Sequence, residues 1–368
     1  MAQNTLAVFS DDRFTAHEHL DGAFELPSDD LLAEDERHPE RPARVRNIRR
    51  AIEQELAEVT TWHGVSPAGR EALERVHDPD YLDELVAHSA EPGQTRLTAT
   101  TTISQGTYDI ARYAAGATVD AATHALDSDD VGYALVRPPG HHAQPAQADG
   151  FCYLNNVAVA AEAALQRADV ERVAVVDWDV HPGNGTQECF YDREDVLVVS
   201  LHNDFGAWGP NHPQTNSLEE QGTGAGEGYS VNVPLPPGTG DSGYGFAFDE
   251  LVEPVVDEFA PDLLLVSAGQ DPGQLDPLGR NLVTKPGFEM LGRRVRALAA
   301  NSGAGLALVQ EGGYQQSHLA YATLGALEGA IGYETGIADP WDLLEAYEPP
   351  AREWVEEAVE AYAAHWPV

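Results

Sequence analysis

Lysine is almost missing from this 368-residue chain: of 21 basic residues only Lys285 is a lysine and the rest are arginine, against 61 acidic residues and a formal charge of -40. A chain so short of positive charge repels the phosphate backbone, which excludes direct nucleic-acid binding as its function. Cysteine is scarce too. Cys152 and Cys189 are the only two, too few for a disulfide framework and without the paired spacing of a zinc knuckle. No apolar run reaches the length of a membrane span, and the opening "MAQNTLAVFSDD" has neither the basic start nor the apolar core of a secretory signal. Low-complexity linkers and internal repeats are absent as well. These absences lead us to expect a soluble, cytoplasmic protein that forms a single domain over residues 1–368.

The acidic residues are spread throughout, in "SDDLLAEDERHPE", "DSDD" and "EPPAREWVEEAVEAY", not gathered into a tail. A global bias of this kind fits a surface adapted to high salt, where dense carboxylates stay hydrated and salt screens their repulsion. The alternative is a surface for cationic partners. We take the halophilic reading, because the bias is not local.

What the chain has in plenty is short apolar runs: "GYALV", "VAVVDWDV", "VLVVSLH", "DLLLVSAG" and "LALVQEGG". Runs apolar on both faces read as strands of a parallel sheet covered by helices. Between them lie helical patterns, "TYDIARYAAGATVDAATHAL", "NNVAVAAEAALQRA", "GYGFAFDELVEPVVDEF" and "GFEMLGRRVRALAANSG". The alternation predicts an α/β fold with an open parallel β-sheet sandwiched by helices. The Gly-rich stretch "EEQGTGAGEGYSVNVPLPPGTGDSG" reads as a long loop. Each predicted strand ends in polar residues: Arg137; Asp177, Asp179 and His181; Ser200 and His202; Asp271; Glu311 and Tyr314. Open α/β sheets bind ligands at the carboxyl ends of their strands, so these residues are expected at one edge, in one site.

Asp179 and His181 are two apart and project from one face of an extended backbone. With Asp271 they make one imidazole and two carboxylates, a set of three that suits a catalytic divalent metal with an open position. A His–Asp pair that only ends a strand explains "DWDVH" alone equally well. The tandem His141–His142 in "RPPGHHAQP" then becomes a candidate for acid–base work, with Asp177 orienting one imidazole. Tyr314, after two glycines in "EGGY", can donate to a developing oxyanion.

"RPPGHHA", "GFCYLNNVAVAA", "DWDVHPGNGTQ", "VSAGQDPGQLDPLG" and "EGGY", in this order, resemble the histone deacetylase family, a group of zinc-dependent deacetylases that includes the acetylpolyamine amidohydrolases and is related in fold to the arginases. "DERHPERPARVRNI", "ALERVHDPDYLDEL" and "GEGYSVNVPLPPGTGD" are similar to further parts of that family, and "HPGNG" is more like its class II branch, with many prokaryotic members. The resemblance implies hydrolysis of the acyl amide of an N-acylated aminoalkyl substrate. It implies one Zn²⁺ on Asp179, His181 and Asp271, with His142 as general base and His141 as its acid or electrostatic partner. Asp177 would pair with His141, Asn184 would orient His142, and Tyr314 would stabilise the oxyanion. A structural K⁺ near Asp177, Asp179, His181, Ser200 and Leu201 is implied as well. In the acyl channel Gly150 and Phe151 match one wall, Phe205 or Trp208 must supply the other, and Leu278 stands at the mouth. The family usually has an aromatic where this chain has Gln270, which leads us to expect altered polarity beside the metal.

Acetyl-lysine in proteins is the expected substrate, because Leu278 offers no carboxylate to a polyamine; acetylpolyamines are the alternative, and a homo-oligomer is allowed. Two other readings stay open here: a dinuclear Mn²⁺ enzyme of the ureohydrolase type, and an inactive acyl-lysine-binding protein on the same fold. The charge yields a prediction about stability. Self-repulsion at -40 is screened over only a few ångströms in molar salt but over ~30 Å at 0.01 M. The unfolding temperature should therefore climb steeply with KCl. An equal melting temperature in dilute buffer and molar KCl would refute the halophilic reading.

Overall fold

The computed structural model describes residues 4–19, 33, 36–204, 215–341 and 351–368. Ten strands lie among them: β1 (Leu6–Phe9), β2 (Thr60–His63), β3 (Gln94–Arg96), β4 (Thr102–Ser104), β5 (Val131–Ala134), β6 (Val173–Asp177), β7 (Val196–Asn203), β8 (Ser230–Leu235), β9 (Leu263–Ala268) and β10 (Gly305–Gln310). Eight form one sheet in the order β2-β1-β5-β10-β9-β6-β7-β8, while β3 and β4 make a separate antiparallel pair. Every neighbouring pair of the large sheet is parallel.

The apolar runs form central strands because each face has its own helices to meet. In β6, Val173 and Val175 bury into one apolar cluster, Ala174 and Val176 into the other. Leu263 and Leu265 of β9 likewise face away from Leu264 and Val266. On one side pack the helices Thr107–Asp127 and Asn156–Leu165, rich in alanine and so able to lie close to the strands. The other side is covered by Ala43–Glu55, Lys285–Ser302, Gln316–Ile331 and Arg352–Tyr362. Full burial of a Val or Leu contributes about 1.5–3 kcal/mol, so strands buried on two faces anchor the sheet.

One expectation is corrected. The Gly-rich stretch is not one loop, since "SVNVPL" within it is β8, paired with β7 from Ser230 to Leu235. Flanking glycines hid it, and Pro234, which cannot donate to a ladder, is tolerated because β8 is an edge strand. The predicted helix over "GYGFAFDELVEPVVDEF" forms, but with a π-helical segment, Phe248–Val252, just ahead of Pro254. There the missing proline N–H is accommodated by a wider turn.

Register brings the strand ends level. Asp177 pairs with Ser200 on one side and Ser267 on the other, while Ala268 pairs with Gln310 and Val309 with Ala134. From β6 the chain moves outward through β7 to β8, and from β9 it moves the opposite way to β10. The crevice between the loops after β6 and β9 is thus a topological switch point, where ligands bind in such sheets. Among the described residues no helix is long and apolar enough to cross a membrane.

Candidate active site

The loops after β5, β6, β9 and β10 converge there. Asp179 and His181 follow β6, and Asp271 follows β9. His181 Nδ1 stands 3.1 Å from Asp179 Oδ1 and 3.0 Å from Asp271 Oδ2, and one donor atom from each of the three residues lies within 4.8 Å of the others. Both carboxylates are fully buried. Their outer oxygens are held by backbone: Gly312 N–H donates to Asp179 Oδ2 at 2.7 Å and Val180 N–H to Asp271 Oδ1 at 2.9 Å. Gly312 has to be glycine, since a Cβ there would lie 2.2 Å from Asp271 Oδ2 and 2.5 Å from Asp179 Oδ2.

The electrostatics describe a cation cradle. Burial and the neighbouring Asp179 push the Asp271 carboxyl up to about 7. Burial alone would also raise Asp179, but His141 and the His181 hydrogen bond bring it below the usual carboxylate range. His181 is pushed up to about 10 by the two carboxylates, against the effect of burial. Two buried carboxylates facing one imidazole nitrogen are what a divalent ion relieves, and one imidazole with two carboxylates is a donor set such ions accept. The residues present fit a metal.

Two histidines follow β5. His141 Nδ1 donates to Asp177 Oδ2 at 3.0 Å, and its Nε2 lies 3.8 Å from Asp179 Oδ2. Burial opposes its charge, yet Asp179 and Asp177 outweigh burial and hold it well above the ordinary imidazole value. His142 Nδ1 meets Asn184 Oδ1 at 2.6 Å. A carbonyl oxygen only accepts, so Nδ1 carries the proton and Nε2 keeps a lone pair. Burial, His141 and His181 all depress its pKa, far below 6.5. Adjacent imidazoles are thus driven apart, one towards the charged form and one towards the neutral, as an acid–base pair requires.

Tyr314 is buried, its phenol pKa raised by burial and by Asp271, so it stays an O–H donor. Asp276, which the sequence reading did not single out, fixes its turn by accepting the Tyr314 N–H at 2.6 Å and the Gln315 N–H at 3.1 Å. Arg44 was missed as well. Its Nε donates to the Gly313 carbonyl at 2.5 Å, Nη2 donates to the Glu311 carbonyl, and the guanidinium carbon lies 4.9 Å from the Tyr314 ring centre. The signal was present in "HPERPARVRNI", but an arginine in a helical pattern does not announce that it will be buried.

Of the channel candidates, Gly150 and Phe151 sit beside this group, both with positive φ (49° and 68°). A Cβ on Gly150 would stand 2.1 Å from His142 Cδ2. The Phe151 and Tyr314 rings meet edge to face at 6.0 Å. Leu278 is half-buried on the turn that Asp276 caps. Phe205 and Trp208 lie outside the described residues. Ser200 is buried next to Asp177 in register, with Leu201 following it. Gln270 corrects an expectation. Its amide donates to the Ala268 carbonyl and accepts from Gln310, which in turn accepts from Tyr133, so its polarity is absorbed in a buried amide chain.

A second cluster, His17, His19 and Glu40, is also close enough to share an ion. Its charge argues against a cation. Arg137 Nε at 2.6 Å and Arg44 Nη1 at 3.1 Å both hold Glu40 Oε1, and two guanidinium charges repel a metal.

A family model described as the histone deacetylase domain matches residues 38–330. The chain belongs to the histone deacetylase family. That makes it a deacetylase-type hydrolase acting on amides. Histone deacetylase 8 of Arabidopsis thaliana is 42% identical over 348 residues, covering 92% of each chain. The histone deacetylase-like amidohydrolase of Pseudomonas aeruginosa is 40% identical over 305 residues, 82% of this chain and 79% of the relative. A probable deacetylase of Archaeoglobus fulgidus is 41% identical over 281 residues, 75% of this chain and 76% of the relative. The crystal structure of the HDA15 HD domain superposes with a TM-score of 0.83 at 33% identity, covering all of this chain and 96% of that one.

The Gly150–His142 contact can be tested. Gly150→Ala should displace the imidazole while leaving the β-sheet intact, with turnover falling about 100-fold or more, the scale of general-base catalysis. Wild-type turnover in this variant, measured alongside an unchanged melting curve, would show that His142 need not stay in place.

Proposed function

We propose that the chain is a zinc-dependent deacetylase of acyl-lysine in proteins, with Asp179, His181 and Asp271 holding the ion. The observation that carries this reading is the convergence of those three donors beside two imidazoles, one bonded to Asp177 and the other to Asn184. Bound there, Zn²⁺ would polarise an acyl carbonyl and acidify a water. With its Nδ1 committed to Asn184, His142 has Nε2 free to accept a proton from an attacking water. His141, paired with Asp177, keeps positive charge at the site and is placed to return a proton to the departing amine. The Tyr314 phenol donates to the oxygen that gains charge as the carbonyl is attacked. A K⁺ near Asp177, Asp179, His181, Ser200 and Leu201 would offset part of the same negative charge. Acetylpolyamine is the second reading of the substrate. The half-buried, uncharged Leu278 favours lysine, having no carboxylate for a second ammonium. A single domain working in a salt-rich cytoplasm completes the proposal, and a panel of acetyl-lysine peptides and acetylpolyamines assayed in high KCl separates the substrates.

Asp271→Ala should lose metal and activity together, since three ligands leave no redundancy. Two Mn²⁺ per active chain, with no dependence on Asp271, would overturn the mononuclear reading.

Tyr314→Phe keeps the ring and should keep metal content and Michaelis constant. Turnover should fall about 100- to 1000-fold, the usual loss for one oxyanion donor. A wild-type rate would remove Tyr314 from the reaction.

A further inference from the structure

The stretch "LTATTTIS", Leu97 to Ser104, carries four threonines that the reaction above does not use. It leads from β3 into β4, two strands of three residues each that pair only with each other. A two-stranded pair is marginal by itself. This one is fastened at its base, where Tyr153 Oη donates to the Thr102 carbonyl and Ser104 N–H donates to Thr107 Oγ1 at 3.1 Å. The Thr101 carbonyl closes its turn by accepting the N–H groups of Leu97 at 2.9 Å and Thr98 at 3.2 Å. Thr101 itself is fully buried.

The Thr101 hydroxyl meets a second tight turn, the one that carries Phe151. Cys152 N–H donates to the Asp149 carbonyl at 2.7 Å and Asp149 N–H to the Cys152 carbonyl at 3.1 Å, so Gly150 and Phe151 are the two central residues. Both have positive φ, 49° and 68°, as in the mirror-image turns that favour Asn-Gly. Glycine suits the first place. A bulky aromatic in the second is a backbone outlier, kept only where its surroundings over-determine it. They do so here through two amides: Phe151 N–H donates to Thr101 Oγ1 at 3.0 Å, and Gly150 N–H to Thr100 Oγ1 at 3.2 Å and Asp149 Oδ1 at 2.9 Å. The Phe151 ring is thereby set edge to face against Tyr314 and against His38, with ring centres 6.0 and 4.9 Å away.

We propose that Thr101 is a positioning residue that sets the width of the acyl channel, and with it the length of acyl chain the enzyme accepts. The inference rests on the reading of Phe151 as a wall of that channel. Without the Thr101 hydroxyl the buried Phe151 amide loses its acceptor, and an unfavourable φ has one bond fewer to hold it. Phe151 then relaxes out of the left-handed region, its ring moves off Tyr314, and the channel widens. A narrow apolar channel discriminates between acyl groups by single methylenes, each worth about tenfold or more, and a widened one gives that up. Thr101 acts on the substrate only through Phe151.

The test compares acetyl-lysine with butyryl-lysine peptides, and in parallel acetylputrescine with butyrylputrescine, on the full chain in high KCl. Wild-type turnover on either pair decides the substrate; the ratio of kcat/KM within the pair that reacts decides the role of Thr101. Thr101→Val keeps the shape and removes the acceptor, and the ratio of acetyl to butyryl should fall about tenfold with metal content unchanged. Thr101→Ala carries the same expectation and takes the place of the valine variant if that one does not fold. Thr101→Ser keeps the hydroxyl and should keep the wild-type ratio. In a Phe151→Ala background no ring remains to be placed, so Thr101→Val should leave the ratio where Phe151→Ala puts it. A merely structural role would lower turnover of both acyl groups alike and leave their ratio unmoved. The proposal is overturned if Thr101→Val keeps the wild-type ratio, if Thr101→Ser loses it, or if Thr101→Val shifts it equally with and without the Phe151 ring.

Discussion

Three carboxylates, Asp177, Asp179 and Asp271, sit fully buried at one edge of a parallel sheet, and the loops of that edge are tied to them. A buried carboxylate is tolerated only when its oxygens are bonded. Here the bonds come largely from the backbone of neighbouring loops: Asp179 N–H to Asp177, Val180 N–H to Asp271 and Gly312 N–H to Asp179. The same acids that charge the site therefore also assemble it. Chemistry and local architecture rest on one set of contacts, and neither can be altered without the other.

Around this group the chain builds a second layer of buried charge. Glu40 binds Arg44 and Arg137, and Arg44 reaches on to the carbonyls that flank the Gly312–Gly313 turn before Tyr314. Glu311 accepts the N–H groups of Gly140 and His141 at 2.7 and 3.2 Å, so the loop after β10 holds the loop after β5. Buried ion pairs add little net stability against apolar residues of the same size, but removing one partner leaves an uncompensated charge and is strongly destabilising. Such a network fixes geometry more than it adds stability. That suits a site whose two imidazoles are pushed in opposite directions by their neighbours.

The surface follows another rule. Acidic residues dominate the exterior, most arginines are paired with them, and the lone lysine is buried against Glu328. Isolated exposed pairs of this kind contribute at most about 1 kcal/mol each. The exterior thus carries a diffuse charge distribution, while the site depends on a handful of buried pairs.

Much of this was legible in the residues. The five central strands are apolar on both faces, which in a soluble sheet means helices on both sides, and Asp179, His181, Asp271, the tandem histidines and Tyr314 stand where strand ends must be. Short Leu6–Phe9 and Gly-flanked β8 were not legible, because four residues carry no period and edge strands need little apolar surface. Which imidazole is pushed towards the neutral form and which towards the charged one was undecided by composition or spacing. The partners are far apart in sequence: Asn184 lies 42 residues from His142, and Asp177 lies 36 from His141. Asp276 and Arg44 owe their places to backbone atoms of distant loops, and a backbone carbonyl or N–H has no signature in a sequence. Residue type and local period thus determined the sheet and the chemistry on offer. Tertiary structure alone decided protonation, orientation and the pairing of buried charge, because those depend on distances that only folding sets.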